Sequence, residues 1–276
     1  TYGCWAPATL EVFSRMKKDS LAQNPYYTAS GEFLNDVYGQ YMDLHMTSGV
    51  WNRLDFWYYC NPRQILIDGG CYYWNLRSLA GVDGASYLLY DAYDLVDELF
   101  ERINYVVLEG LKRASALVQI ELIGFGEDLA YKNGPLLSPA MFRRLILPRY
   151  RKVMDLAHQC GVTLTWYDSD GDLRQLIDDY LEVGINCLAP CEVAAGMSAP
   201  ELRARWGRDL RLIGAIDKRE IAQGPAAIDA EIERNRPVIE EGGFLPAIDH
   251  SIPADVSLDN YRYFLEKIQL AVGVTG

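Results

Sequence analysis

Val162–Tyr167 (VTLTWY) runs straight into Asp168-Ser169-Asp170-Gly171-Asp172; the chain then passes through Asp172–Val183 (DLRQLIDDYLEV), Gly184 and Ile185–Ala189 (INCLA). A short run of β-branched and aromatic residues predicts a strand. The amphipathic stretch closed by Gly184 predicts a helix, and the second apolar run another strand. A strand–helix–strand unit of this length makes a parallel pair. The same unit recurs on both sides. Upstream, Ala116–Phe125 (ALVQIELIGF) reads as a strand, and Ser138-Pro139 opens a helix that runs to about Cys160 and stops at Gly161. Downstream, Ser198–Trp206 reads as a helix, with Glu201 in capping-box register to Ser198. Leu210–Ile216 is a strand, Lys218 to Glu241 is helical with a break at Gly224-Pro225, Phe244–Ile248 is a strand, and Val256–Val272 is a helix.

Strands apolar on both faces and alternating with helices fit a doubly covered parallel sheet. An open doubly wound sheet and a (β/α)8 barrel compete for this pattern. The strand ends decide between them. Each strand finishes in ionisable residues: Glu127 and Asp128, then Asp168, Asp170 and Asp172, then Glu192, then Asp217 and Lys218, then Asp249 and His250. A barrel gathers all these ends around one mouth, where barrel enzymes place their chemistry. An open sheet would leave most of them too far apart to cooperate. No glycine-rich phosphate loop follows any strand. We therefore expect an α/β protein with a (β/α)8 barrel, as one domain over residues 1–276.

The first 115 residues are less regular. Gln64–Ile67 and Tyr87–Tyr90 read as short strands, and Leu95–Ala116 as one long amphipathic helix. Residues 1–75 are rich in aromatics, including Trp51, Trp57, Tyr72, Tyr73 and Trp74, and read as loops and helices over the mouth. The chain opens at Thr1, not Met, and eight strands are not countable in it. We expect the barrel's N-terminal part to be incomplete here.

Composition removes several classes. The chain has 276 residues, 50% apolar and 23% charged, so it can bury a large core and is not disordered. The longest apolar runs fall far short of the ~20 residues of a membrane-spanning helix. A net charge of −12 argues against nucleic acid, whose phosphates need a basic footprint. The six cysteines form no CxxC pair, which argues against a zinc ribbon or a dithiol centre. Unpatterned cysteine and no visible signal peptide read as a cytoplasmic protein.

Several residues at the expected mouth have chemistry to offer. In Asp168-Ser169-Asp170-Gly171-Asp172, close carboxylates must either hold a proton or share a cation. The spacing resembles a calcium loop only superficially, because Asp179 stands where that loop needs Glu. The plainer reading makes Asp172 a helix cap. His250, one of three histidines, would be a metal ligand or acid–base group beside Asp249. Lys218 would orient an anionic or polarised substrate group, or else pair with Glu192 or Asp217. Glu192 reads as a general acid or a cap. Glu127, Asp128 and Tyr131 read as a substrate-binding loop, or as a turn before Ser138, and Asp249 as a further substrate-binding residue. Cys187 reads as core.

These residues carry a family resemblance over roughly 70–270. Gly126-Glu127-Asp128-Leu129-Ala130-Tyr131-Lys132, Leu137-Ser138-Pro139, Gly214-Ala215-Ile216-Asp217-Lys218-Arg219 and Ile248-Asp249-His250-Ser251-Ile252-Pro253, in this order with the Asp168–Asp172 segment, resemble the uroporphyrinogen decarboxylase superfamily. The resemblance implies a barrel with its site at the C-terminal mouth, and a homodimer is common in the superfamily. It implies one of two activities. One is cofactor-free decarboxylation of uroporphyrinogen, in porphyrin biosynthesis. The other is zinc-assisted methyl transfer from a small molecule to a corrinoid on a partner protein. The decarboxylase branch carries an arginine-rich N-terminal motif that this sequence lacks; Arg15, Arg53 and Arg63 are scattered. The methyltransferase branch carries His-x-Cys after one strand and Cys after a later one. Here Asp168 and Asp170 stand at the first place, and Asp249 and His250 fall near the second. The expectation is a methyltransferase for a small, methoxyaromatic-like substrate, with Asp168, Asp170 and His250 as the zinc or acid–base set. Glu192 and Asp217 would support them. A uroporphyrinogen-type decarboxylase and a non-catalytic tetrapyrrole or corrinoid binder are the alternatives.

Overall fold

A computed structural model describes residues 66–273. In chain order, β1 (Leu66–Asp68) leads into α1 (Tyr72–Asp91) and α2 (Tyr93–Ser115). β2 (Leu122–Gly126) is followed by a small ribbon of β3 (Ala130–Tyr131) and β4 (Gly134–Pro135), then α3 (Pro139–Leu145) and α4 (Leu147–Gln159). Next come β5 (Leu164–Asp168), α5 (Ile177–Glu182), β6 (Cys187–Ala189), α6 (Ala199–Trp206) and β7 (Arg211–Ile216). α7 (Lys218–Gln223), α8 (Pro225–Glu241), β8 (Phe244–Ile248) and α9 (Leu258–Ala271) complete the order.

Among the described residues, six strands form one parallel sheet in the order β1-β2-β5-β6-β7-β8. Sheet order follows chain order without reversal. A doubly wound sheet reverses at a switch point, whereas a barrel wall does not. The sheet is therefore barrel wall, and all its C-terminal strand ends lie on one side.

Local chemistry explains the element ends. Ser138 caps α3 by accepting from the Met141 amide at 3.2 Å, with Pro139 in the first turn. Ser257 caps α9 through the Asn260 amide at 3.1 Å. Pro225 opens α8 directly after Gly224, so the helical stretch is broken where expected. Along β5, Thr165 and Tyr167 are buried under the helices, while Trp166 and Asp168 share the opposite face, toward the barrel interior. The Tyr167 ring packs 6.0 Å from Tyr150 of α4 and 4.3 Å from Tyr180 of α5. Burying each such ring is worth roughly 1.5–3 kcal/mol.

Some local expectations are corrected. Tyr87–Tyr90 is helical, lying within α1; Ala85 and Leu89 face the core while Tyr87 and Tyr90 face solvent. The strand expected from Ala116 begins at Leu122, because the end of α2 closes in turns that bring the Leu117 and Val118 amides to the Ala114 carbonyl. The helix expected from Asp172 begins at Ile177. Ser198 makes no capping bond, because its hydroxyl accepts from Arg234 at 3.0 Å. Tyr72 and Tyr73 are wholly buried core residues, not part of a loop over the mouth. The remaining aromatics of 1–65 and the expected incompleteness of the N-terminal part lie outside the described residues. No described helix is long and apolar enough to cross a membrane.

Candidate active site

The loops leaving β5, β6, β7 and β8 bring four side chains together. His250 Nε2 lies 3.1 Å from Asp170 Oδ2. Glu192 joins them: the ligand atoms of Asp170, Glu192 and His250 all lie within 4.8 Å of one another. Lys218 Nζ donates to Glu192 Oε1 at 2.9 Å. The other Glu192 oxygen accepts from the Gly171 amide at 3.2 Å. Asp170 and His250 are each about two-fifths exposed, at 41% and 37%, so the group opens to the mouth.

Backbone geometry holds this arrangement. Gly171 has φ +85°, and a Cβ there would stand 2.6 Å from the Tyr131 nitrogen, so only glycine lets the β5 loop lie against the ribbon. The next residue, Asp172, donates its amide to the Tyr131 carbonyl at 3.0 Å. Ser169 fixes the same loop from below, accepting from the Leu129 amide at 3.1 Å.

Asp168 sits apart from the trio, at the end of β5. Burial, reinforced by the charges of Asp128 and Asp170, pushes its carboxyl up to about 7. Burial also raises Asp170, against the pull of His250. Asp128, at φ +45°, receives Arg77 on its side chain at 3.2 Å and on its carbonyl at 3.0 Å. Tyr131 is 70% exposed on the ribbon.

Four acidic residues named from the sequence are held by the scaffold. Glu127 is wholly buried and accepts from the amides of Tyr72 at 2.7 Å and Trp74 at 3.0 Å, and from the Tyr150 hydroxyl at 2.6 Å. It anchors the N-terminus of α1, where a carboxylate is favoured, though burial pushes it up to about 7. Asp217 caps α7 through the Arg219 amide and pairs with that guanidinium at 2.6 Å. Burial alone would raise Asp217, but Arg219 holds it below its ordinary value. Asp249 is wholly buried; its two oxygens accept from the amides of Val193 at 2.9 Å and Lys218 at 3.0 Å. Asp172 is held locally but is not a helix cap, since the helix begins at Ile177; it accepts from the Arg174 amide at 3.0 Å and pairs with that side chain at 2.8 Å. Cys187 is buried, as expected.

The family model for uroporphyrinogen decarboxylase (URO-D) matches residues 78–270. The chain belongs to the URO-D family. Among solved structures, a "methyltransferase from Methanosarcina mazei" aligns with a TM-score of 0.53 at 17% identity, over 84% of this chain and 63% of that one. At that identity the likeness speaks for the barrel fold. This URO-D chain thus spans less than two thirds of that protein's length. No curated protein matches it.

The donor set of this URO-D chain fits a divalent cation. Two carboxylates and an imidazole are hard to borderline ligands of the kind zinc accepts. Cys191, the nearest cysteine in sequence to Glu192, is buried, and it donates to the Leu188 carbonyl at 3.4 Å.

Sequence reasoning passed over Asp68. It ends β1 on the mouth side, accepts from the Gly70 amide at 2.7 Å, and lies 3.7 Å from the Cys71 sulfur. Burial pushes it up to about 6. The available signal was an acid directly after the apolar run Ile65–Ile67, the same sign that marked the other strand ends.

Proposed function

We propose that this URO-D family member is a methyltransferase that moves a methyl group from a small methylated substrate to a corrinoid carried by a partner protein. The observation that carries this reading is the Asp170–Glu192–His250 group, open to the mouth with Lys218 beside it. Those three side chains would hold zinc. When bound, zinc supplies a Lewis acid for an ether oxygen of the substrate. Asp168, whose carboxyl is pushed up by burial in the metal-free chain, would be the proton donor to the oxygen that loses its methyl group. Asp128 and Tyr131 line the approach, and Lys218 orients the substrate.

The charge pattern supports this reading over decarboxylation of a polycarboxylate. Among the described residues, Arg77, Arg174 and Arg219 stand by the strand exits. Each is already paired, with Asp128, Asp172 and Asp217 respectively. An acidic mouth with its guanidiniums so engaged repels a polyanion. A neutral or singly charged methoxyaromatic meets no such barrier.

The test is anaerobic incubation of the purified chain with zinc, cob(I)alamin and a panel of methoxylated aromatics, followed by absorbance. Formation of methylcobalamin, lost in Asp170→Ala and His250→Ala, is expected. Zinc content and turnover unchanged in both variants would overturn the reading.

A further inference from the structure

Glu192 is shared between two roles. It belongs to the trio whose ligand atoms lie within 4.8 Å, and it is also the ion-pair partner of Lys218 at 2.9 Å. One Glu192 oxygen is tied to the Gly171 amide, and the other receives the ammonium. A cation held by Asp170, Glu192 and His250 would therefore stand next to Lys218 and draw on the same carboxylate. Lys218 and Glu192 are each only 21% exposed, so water screens the repulsion between such a cation and the Lys218 ammonium weakly.

Lys218 has a way to leave. Its backbone amide is pinned to Asp249 at 3.0 Å, so the root of the side chain is fixed, and the four-carbon stem has the rotatable bonds to carry the ammonium elsewhere. The adjacent carboxylates offer no new berth. Asp217 is taken by Arg219, and both Asp249 oxygens receive backbone amides. An ammonium displaced from Glu192 at this open mouth is then available to an anionic group that enters it.

We propose that Lys218 is the resident counter-cation of Glu192. A divalent metal displaces it, and the freed ammonium then receives a single anionic group on the substrate, such as a carboxylate. This rests on the metal-site reading above and adds to it a substrate feature and a coupling. By linkage, an anion that draws Lys218 away must strengthen metal binding by the same factor as metal strengthens anion binding.

The test is calorimetric titration of Zn²⁺ into the full chain, with and without benzoate as a monocarboxylate probe. Lys218→Met and Lys218→Arg are compared with the unmodified protein, and circular dichroism melts confirm folding. The Met variant should bind Zn²⁺ about tenfold tighter, within the range of ordinary couplings, and ignore benzoate. The unmodified protein should gain several-fold in Zn²⁺ affinity with benzoate. The Arg variant, which keeps the charge, should stay near the unmodified protein. Equal Zn²⁺ affinity in the Met variant and the unmodified protein, or no benzoate effect on the latter, overturns the exchange alone, provided His250→Ala abolishes binding. No Zn²⁺ binding by any folded form overturns the metal-site reading together with it.

Discussion

The imidazole of His250 stands 3.1 Å from the carboxylate of Asp170, although 80 positions separate them in the chain. β5 and β8 are not neighbours in the parallel sheet, so it is the loops leaving their ends that bring these two side chains together. Removing either side chain should therefore act on the proposed cation site and leave the fold intact, since both are partly exposed. Asp170→Asn and His250→Ala should each weaken Zn²⁺ binding by more than the roughly 10–100-fold seen when an outer partner of a ligand is lost. Equilibrium dialysis with metal analysis measures this, and thermal melts should be nearly unchanged.

Tyr150 tests the scaffold beneath. Its hydroxyl donates to the buried Glu127 at 2.6 Å. Tyr150→Phe should cost about 1.5–3 kcal/mol, the range for a hydrogen bond to a charged group. Urea unfolding reads the cost; Zn²⁺ affinity should not follow it.

Asp217 is predicted to be structural. Asp217→Ala removes the α7 cap and strands Arg219, and should cost about 0.5–2 kcal/mol of stability. Zn²⁺ affinity within twofold (about the scatter of such titrations) is expected. A large loss of binding in a stably folded variant would return Asp217 to the site.

The pH dependence of stability has a definite sign. Glu127 and Asp168 are each pushed to about 7, from ordinary values of 4.5 and 3.8. The folded chain therefore binds more protons than the unfolded chain between those limits. Their contribution is complete below about pH 4 and is lost as pH rises through about 7. Metal-free protein should thus lose stability from pH 5 to pH 8, and Asp168→Asn should flatten part of that slope. Urea unfolding at four pH values decides it; stability that rises over the window refutes the assignment.

Much of the architecture was legible because its signals were local. The limits of β8 follow from Gly242-Gly243 before it and Asp249 after it, and Gly224-Pro225 broke the long helical stretch as it had to. Tyr87–Tyr90 misled because a short apolar run has no period of its own; its place in α1 depends on Ala85 and Leu89 meeting the core. The capping box at Ser198 failed for a long-range reason, since Arg234 of α8 claims the hydroxyl. The site divides the same way. Strand-end acids were visible one by one, but nothing in sequence distinguishes Glu192, which faces His250, from Glu127, which turns inward to Tyr150. That choice is made by side-chain direction and packing, which spacing alone does not encode.

Asp249 carries a consequence beyond its own bonds. One buried carboxylate grips the residue after Glu192 with one oxygen and the amide of Lys218 with the other, and its own chain continues into His250. Three strand exits are thereby clamped as one rigid plate. Their spacing is not adjustable one loop at a time. Change in what this mouth accepts must come from swapping the side chains that project from the plate, while the plate itself keeps its shape.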